Sequence, residues 1–186
     1  MNFHSLLIEI GEVLDGLKIP YAVTGGFAVS MWGKVRSTLD LDVIIELRQS
    51  KADALTSALK RISEINYVDD GMVERAIERK GEFNFIDITH DLKVDFWIMG
   101  NDEYSKIKLK RRIAKNIDGR EIYFVSPEDL ILAKLIWYNK SESERQLEDI
   151  KSVLEIQKKL DMEYIQKWAK IHSTDAILEK LIKDVL

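Results

Sequence analysis

The sequence predicts an α+β protein, in which a mixed α/β half is followed by an all-helical half. Up to about residue 125, short apolar runs that read as strands alternate with amphipathic stretches and glycine-containing turns. From residue 126 onward the hydrophobic spacing is almost wholly helical. There are only two prolines and no long flexible linker, so we expect the halves to pack together. We therefore predict an α/β core at residues 1–125 and a C-terminal helical region at residues 126–186 packed on it.

The first 47 residues predict a helix, a strand, a second helix and a second strand. Phe3, Leu6, Leu7, Ile10 and Leu14 recur at helical spacing and predict a helix over residues 3–17. The apolar run 21–24 predicts a short strand, which a Gly-Gly turn joins to a helix over 26–32. A polar loop then leads into a buried strand over 41–47.

Residues 49–125 predict a further mixture of helices and strands. A helix is expected over 49–62, with Ser50 and Asp53 forming a capping box at its start. A short strand at 65–68 and a short helix at 71–79 follow. The runs 83–89 and 92–98 flank a His90-Asp91 turn and predict an antiparallel hairpin. A short helix within 101–112 and a second hairpin within 113–125, around Asp118-Gly119, complete this half.

The C-terminal half begins with a strong helix-start signal. Ser126 stands in the N-cap position, Pro127 in the first helical position, and two acids follow in the first turn. Helices are expected near 127–139, 144–158, 161–171 and 174–185, with Asp161 as an N-cap.

Composition and charge exclude several classes of protein. The chain of 186 residues contains no cysteine, which excludes disulfides and thiolate metal sites. No apolar run approaches the roughly 18 residues that a membrane helix needs. The formal charge of −4 argues against a protein coated in nucleic acid, although it leaves room for a local basic groove. We expect a cytoplasmic protein with no membrane partner.

Asp40 and Asp42 open the predicted strand 41–47 and are candidate metal ligands. Side chains two residues apart on a strand share a face, with α-carbons roughly 6.5–7 Å apart. A divalent cation relieves the repulsion between two such carboxylates, and hard oxygen ligands suit Mg²⁺. The alternative is that Asp40 caps a loop and Asp42 faces solvent at the strand end.

A third carboxylate within a hydrophobic strand favours the metal site. Asp95 lies in the apolar run Lys93–Ile98, where an unpaired carboxylate would be costly. The alternatives are that Asp95 is an edge-strand acid paired with Lys93, or that Asp87, in a similar setting, is the third ligand.

The Gly25-Gly26 turn is a candidate phosphate-binding loop. Glycines allow close backbone approach, and the following helix begins with N–H groups that have no partner within the helix. Arg36 could steady a phosphate, and Thr38 could order the loop before Asp40 by hydrogen bonding. The alternatives are an ordinary strand–helix turn and a solvated loop.

Together these residues resemble the nucleotidyltransferase superfamily, which includes DNA polymerase β, CCA-adding enzymes and aminoglycoside nucleotidyltransferases. The residues that carry the resemblance are Thr24-Gly25-Gly26, Gly33, Arg36, Thr38, Asp40, Asp42 and the later strand residue Asp95. The pattern is most similar to small bacterial and archaeal members, including AbiEii-type and MNT-type toxin–antitoxin components. The resemblance covers roughly residues 15–155 and selects Asp95 over Asp87.

The resemblance implies the fold, the reaction and the roles of the site residues. It implies a mixed-sheet nucleotidyltransferase core followed by a helical bundle. Asp40, Asp42 and Asp95 would hold two Mg²⁺ ions, while Gly25, Gly26, Arg36, Thr38 and Lys134 would contact the nucleoside triphosphate (NTP). The expected reaction moves a nucleoside monophosphate to a hydroxyl of a tRNA, a protein or a small molecule and releases pyrophosphate. The alternative is a toxin–antitoxin component that acts mainly by binding a protein partner.

Two further features are interpreted as structural. A basic cluster contains Lys106, Lys108, Lys110, Arg111, Arg112 and Lys115. It is interpreted as a solvated face, with contact to an RNA acceptor or to the triphosphate as the alternative. Trp97 is assigned to the core.

Overall fold

The computed structural model describes residues 2–185 and divides them into two compact units. The sheet unit contains the residues up to Gly26 together with Thr38–Phe124. The helical unit contains Phe27–Ser37 together with the residues from Val125 onward. These units are defined by which residues lie near one another in space, and each contains two segments of the chain. The predicted division into domains at residues 1–125 and 126–186 stays a prediction.

A seven-stranded mixed sheet forms the centre of the sheet unit. Its strands are β1 (Tyr21–Val23), β2 (Asp40–Ile45), β3 (Asn66–Tyr67), β4 (Glu82–Asp87), β5 (Leu92–Ile98), β6 (Ile113–Ile117) and β7 (Arg120–Phe124). Their spatial order is β3-β4-β5-β2-β1-β7-β6. The β2–β5 and β1–β7 pairs are parallel, and the other neighbours are antiparallel. The mixed sheet followed by helices confirms the α+β fold predicted from the sequence.

The two faces of the sheet differ in polarity because side chains alternate along each strand. Leu41, Val43 and Ile45 of β2 are fully buried on one face. Asp40 and Asp42 alternate with these residues and are half-buried on the other face. Strand β5 repeats the pattern, with Val94 and Phe96 fully buried on the first face.

Two helices of the sheet unit pack against strands of the sheet. The described helices are α1 (Phe3–Gly16), α2 (Gly25–Trp32), α3 (Ala52–Leu59), α4 (Asp70–Arg79), α5 (Glu103–Lys110), α6 (Pro127–Ser141), α7 (Glu144–Ile156), α8 (Met162–Ile171) and α9 (Asp175–Val185). Helix α1 packs so closely on the sheet that a β-carbon on Gly11 would lie 2.6 Å from Ile122 and 3.0 Å from the Tyr21 hydroxyl. Helix α4 contacts β4 and β5.

Nearly every predicted element is present, and one predicted helix start is wrong. A 3₁₀ turn, Gln49–Lys51, precedes α3, and no side chain caps that helix. The predicted capping box of Ser50 and Asp53 is therefore absent. The neighbouring Lys51 ammonium donates to the carbonyl oxygens of Leu17 and Lys18 at 2.7 Å, a tertiary contact that the local sequence does not encode.

Two helices of the helical unit begin at the N-cap residues predicted from the sequence. Ser126 caps α6 by accepting a hydrogen bond from the Asp129 backbone N–H, and Asp161 caps α8 in the same way through Tyr164. Leu130, Ile131 and Leu135 of α6 are fully buried. Across residues 2–185, no helix is both long and apolar enough to cross a membrane.

Candidate active site

A row of polar side chains crosses three neighbouring strands of the sheet unit. In the parallel β2–β5 pair, Asp42 lies in register with Asp95 and Asp40 with Lys93. In the antiparallel β4–β5 pair, Asn84 lies in register with Asp95. Residues in register share a face, and neighbouring strands are about 4.8 Å apart, so the sheet brings Asp40, Asp42 and Asp95 together on its less buried face.

The carboxylate of Asp95 is held by two donors from the same face. The Lys93 ammonium lies 2.8 Å from it, and the Asn84 side-chain amide donates to it at 2.9 Å. The Asp95 side chain is only 10% exposed, so these hydrogen bonds offset the cost of burying its charge. The pairing of Asp95 with Lys93, one of the alternatives from the sequence, is therefore present. Strand β5 is nonetheless an interior strand, between β4 and β2.

Lys93 brings a positive charge to the carboxylate row. Its hydrogen bond to Asp95 raises the pKa of Lys93 above its ordinary value, although burial opposes the shift. The negative charges of Asp95 and Asp40 raise the pKa of Lys93 further. The ammonium thus stays charged throughout the neutral range and partly neutralises the row.

Asp42 is fixed by the turn that follows β1. The Thr24 backbone N–H donates to the Asp42 carbonyl oxygen at 2.9 Å, which extends the β1–β2 pairing by one residue. Gly25 follows with a φ of +61°, a conformation that favours glycine. On the other side, the Trp97 indole N–H donates to the Asp42 carboxylate at 3.2 Å.

Gly25 lies directly against the side chain of Asp42. A β-carbon placed on Gly25 would be 2.6 Å from Asp42 Cγ and 2.9 Å from Asp42 Cβ. The backbone of the Gly-Gly turn and the carboxylate of Asp42 therefore meet in a space that only glycine allows. Gly25 and Gly26 open α2, and the first N–H groups of a helix have no partner within it, so the turn that meets Asp42 offers donors to an anion.

Gly25→Ala is expected to destabilise the protein and to displace Asp42. The positive φ alone costs a residue other than glycine about 1–3 kcal/mol, and the clash with Asp42 adds to that cost. Urea unfolding measures the free energy of unfolding. Gly16→Ala is the matched control, since nothing lies within 4 Å of its β-carbon, and it should change stability by no more than about 1 kcal/mol. Equal stability of the two variants would contradict the contact between Gly25 and Asp42.

Thr38 orders the segment that precedes β2. Its hydroxyl lies 3.2 Å from the Asp40 carbonyl oxygen and 3.3 Å from the Asp40 carboxylate. The hydrogen bond that the sequence suggested for Thr38 is therefore present in this loop. Its predicted contact with a nucleotide stays a prediction.

The other two predicted phosphate-binding cations converge on one carboxylate of the helical unit. The Arg36 guanidinium donates to both oxygens of Asp149, at 2.7 and 3.0 Å, and the Lys134 ammonium lies 2.8 Å from the same carboxylate. Burial acts to raise the pKa of Asp149, but the hydrogen bonds and charges of Arg36 and Lys134 lower it below its ordinary value. The phosphate contacts of Arg36 and Lys134 stay predictions.

Asp87, the alternative third ligand, lies away from the carboxylate row. It is fully buried on the apolar face of the sheet, and the His90 imidazole lies 2.7 Å from its carboxylate. Asp87 is three residues from Asn84 on the same strand, so the two side chains point to opposite faces. The preference for Asp95 thus agrees with the register of the sheet.

Sequence reasoning missed two contributors to the row. Trp97 was assigned to the core but is half-buried and bonded to Asp42. Asn84 bonds Asp95 across the hairpin. The sequence could have predicted the position of Trp97, because it lies two residues from Asp95 and side chains two apart on a strand share a face. The signal for Asn84 required the hairpin register.

The row offers the donor chemistry of a magnesium site, but its carboxylates are not gathered around one point. Carboxylate oxygens are ligands that Mg²⁺ prefers. Within residues 2–185, no three His, Cys, Asp or Glu side chains are arranged as a metal site. At Asp95 the positive charge comes from Lys93, and an ion that bound this carboxylate would have to share it with the ammonium or displace it.

Three solved structures have a similar fold. An antigenic nucleotidyltransferase-like protein from Paracoccidioides brasiliensis matches with a TM-score of 0.59 at 18% identity, over 97% of this chain and 91% of that chain. The antibiotic-resistance factor ANT(2'')-Ia matches with a TM-score of 0.58 at 15% identity, over 95% of each chain. The lincosamide antibiotic adenylyltransferase LnuA matches with a TM-score of 0.54 at 13% identity, over 84% of this chain and 98% of that chain. At these identities the similarity shows the fold.

The family is shown by a match along most of the sequence. No curated protein matches the sequence. The family model described as nucleotidyl transferase AbiEii toxin, type IV TA (toxin–antitoxin) system, matches residues 10–182. This range includes the glycine turn, the carboxylate row, the helices α6 to α8 and most of α9, and it confirms the resemblance to nucleotidyltransferases seen in the sequence. Because the family model matches far more than half of the sequence, the chain belongs to the AbiEii family of nucleotidyl transferase toxins.

Proposed function

We propose that the chain moves a nucleoside monophosphate from an NTP to a hydroxyl group, with magnesium, in the cytoplasm. The observation that carries the proposal is the register of Asp42 with Asp95 on parallel strands, with Gly25 packed against Asp42. The acceptor oxygen would form a bond to the α-phosphorus while the bond to the β-phosphate oxygen breaks. Pyrophosphate would leave with that electron pair.

Different residues of the sheet unit would have different roles in this reaction. Asp40, Asp42 and Asp95 would hold the metal, and Thr38 would keep Asp40 in place. Magnesium, when bound, supplies charge stabilisation for the attacking and leaving oxygens. The backbone N–H groups of Gly25 and Gly26 would bind phosphate oxygens beside Asp42. Asp95, the most buried of the three carboxylates, would lie beside the attacking hydroxyl and help to activate it, as the family resemblance implies.

Labelled nucleotides test this proposal directly. The protein is incubated in turn with each NTP, labelled at the α- or the γ-phosphate, together with Mg²⁺ and an extract that supplies acceptors. We expect label from the α-phosphate to enter an RNA, protein or small-molecule fraction. Label from the γ-phosphate should appear only in pyrophosphate, and EDTA should abolish the transfer. Transfer of the γ-label alone would overturn the proposal in favour of phosphoryl transfer.

The alternative function is binding of a protein partner, and the match to a toxin–antitoxin family favours keeping it. A partner encoded beside this chain would then co-purify with it. The Asp40→Asn/Asp42→Asn variant separates the two functions. Under the nucleotidyltransferase proposal, this variant no longer transfers label from the NTP. If the chain acts only by binding, the wild type transfers no label either, and the variant still co-purifies with the partner.

A further inference from the structure

A basic cavity lies in the sheet unit at the strand ends opposite the carboxylate row. Its volume is about 420 Å³, and its lining includes Pro20 before β1, Leu47 after β2 and Met99 after β5. Asp40 and Asp42 are at the other end of β2, and five strand residues span about 17 Å. The cavity is therefore a separate place from the proposed nucleotide site.

Positive charge is concentrated around this cavity. Five cations line it, against the single carboxylate of Glu46: Arg48, Lys80, Lys106, Lys110 and Arg112. Glu46 lies 3.8 Å from Arg48 and offsets one of the five charges. The chain as a whole has a formal charge of −4, so this excess is local. Such a concavity attracts anions.

Arg112 is held in place and has an unused donor. One guanidinium nitrogen donates to the Leu109 carbonyl oxygen at 2.8 Å, and the guanidinium carbon lies 4.6 Å from the centre of the Tyr123 ring. Its Nε atom is buried and has no hydrogen-bond partner within the described chain. The contacts with Leu109 and Tyr123 fix the guanidinium of Arg112, which lines the cavity.

Helix α5 presents further cations to the cavity. Lys106 and Lys110 are four residues apart and so lie on one face of the helix, with Leu109 beside them. Both lysines are exposed, whereas Leu109 is buried. The nearby carboxylate of Asp102 is engaged by the Ser105 backbone N–H and hydroxyl at the start of α5. The basic cluster interpreted from the sequence as a solvated face therefore divides, and part of it faces a cavity.

The size and the apolar lining select the class of ligand. Small-molecule pockets in proteins range from about 300 to 1,000 Å³ and combine apolar walls with a few polar groups. Leu47 and Leu109 are almost fully buried and form apolar wall, while the cations surround it. A compact cavity of this kind suits a phosphate group carried on a small organic molecule better than the extended backbone of an RNA.

We propose that this cavity binds a small phosphorylated molecule, independently of the NTP bound by the carboxylate row. The phosphate would lie among Lys106, Lys110 and Arg112 and would accept hydrogen bonds from both lysines. The organic part would lie against Leu47 and Leu109. The charge and shape suit a phosphate monoester or a diphosphate, so the protein would have a second ligand site besides its donor site.

Calorimetric titration in EDTA tests the proposal, because magnesium is then absent from the carboxylate row. The probes are inorganic pyrophosphate, ribose 5-phosphate and a single-stranded RNA of 12 nucleotides, at constant ionic strength. We expect pyrophosphate and ribose 5-phosphate to bind to the wild type and to Asp40→Asn/Asp42→Asn with equal affinity. Lys106→Gln/Lys110→Gln should weaken both at least about tenfold, as the loss of two charge-assisted hydrogen bonds predicts.

A matched control separates this site from general charge. Lys108→Gln/Lys115→Gln removes the same charge from side chains that do not line the cavity, and it should change affinity less than twofold. An equal loss in the two double variants would overturn the proposal, as would binding that disappears in Asp40→Asn/Asp42→Asn. Binding of the RNA without either small phosphate would also overturn it and would assign the surface to nucleic acid. Failure of the transfer reaction leaves this test unaffected.

Discussion

Asp42→Asn is expected to slow nucleotidyl transfer by about a thousandfold or more. A carboxylate that holds the metal contributes several kcal/mol to transition-state stabilisation, and each loss of about 1.36 kcal/mol lowers the rate tenfold. The fold should remain, since asparagine keeps the shape of the side chain and an oxygen for the Trp97 indole N–H. The initial rate of transfer from an α-labelled NTP, measured across a magnesium titration, gives the effect. Circular dichroism and urea unfolding verify that the variant is folded.

Asp118→Asn is the matched control for this prediction. It makes the same change of charge in the same unit, in the β6–β7 turn, where the side chain is 73% exposed. Its φ of +49° suits asparagine, so the turn should persist. Transfer by Asp118→Asn should stay within about twofold of the wild type, as for most surface substitutions. If Asp42→Asn retained more than a tenth of the wild-type rate, the assignment of Asp42 to the metal site would be wrong.

The paired aspartates could be predicted because their geometry is local. A strand alternates its side chains with a period of two, so Asp40 and Asp42 had to share a face wherever the strand lay. Which strand lies beside β2 was not local information. The register of Asp42 with Asp95 joins residues more than fifty positions apart through a parallel pair, and no periodicity in the sequence encodes it. Only the family resemblance selected Asp95 from the sequence.

The partners of the cations were harder to predict than the cations themselves. Arg36 and Lys134 were interpreted as phosphate contacts because their positions match the family pattern. In the structure both bind Asp149, which is 113 residues from Arg36 along the chain. Long polar side chains reach whatever carboxylate the tertiary fold brings near them, so residue type alone does not determine the partner. Lys51, at the start of α3, gives another example, since its ammonium bonds carbonyl groups just after α1.

A buried network with two cations and one carboxylate predicts a large effect on stability. Asp149→Asn keeps the shape of the side chain but leaves Lys134, which is only 8% exposed, without its counter-ion. Removing one partner of a buried ion pair costs about 3–5 kcal/mol, and we expect that loss in the free energy of unfolding measured in urea at pH 7. Glu155→Gln on the same helix is the control. Its partner Lys34 is exposed, so it should cost no more than about 1 kcal/mol.

The pH dependence and a second substitution show whether the network causes this loss. The pKa of Asp149 is lowered in the folded state, so its contribution is complete above its unfolded pKa of about 4 and is lost as the pH falls through the folded value. The difference in the free energy of unfolding between wild type and Asp149→Asn should therefore be constant near neutrality and shrink below about pH 4.

Adding Lys134→Met to Asp149→Asn removes the unpaired buried charge and should recover part of the stability, since replacing a buried ion pair by apolar groups often changes stability little. If the losses from the two substitutions simply added, Asp149 and Lys134 would not be energetically coupled, and the prediction would be wrong.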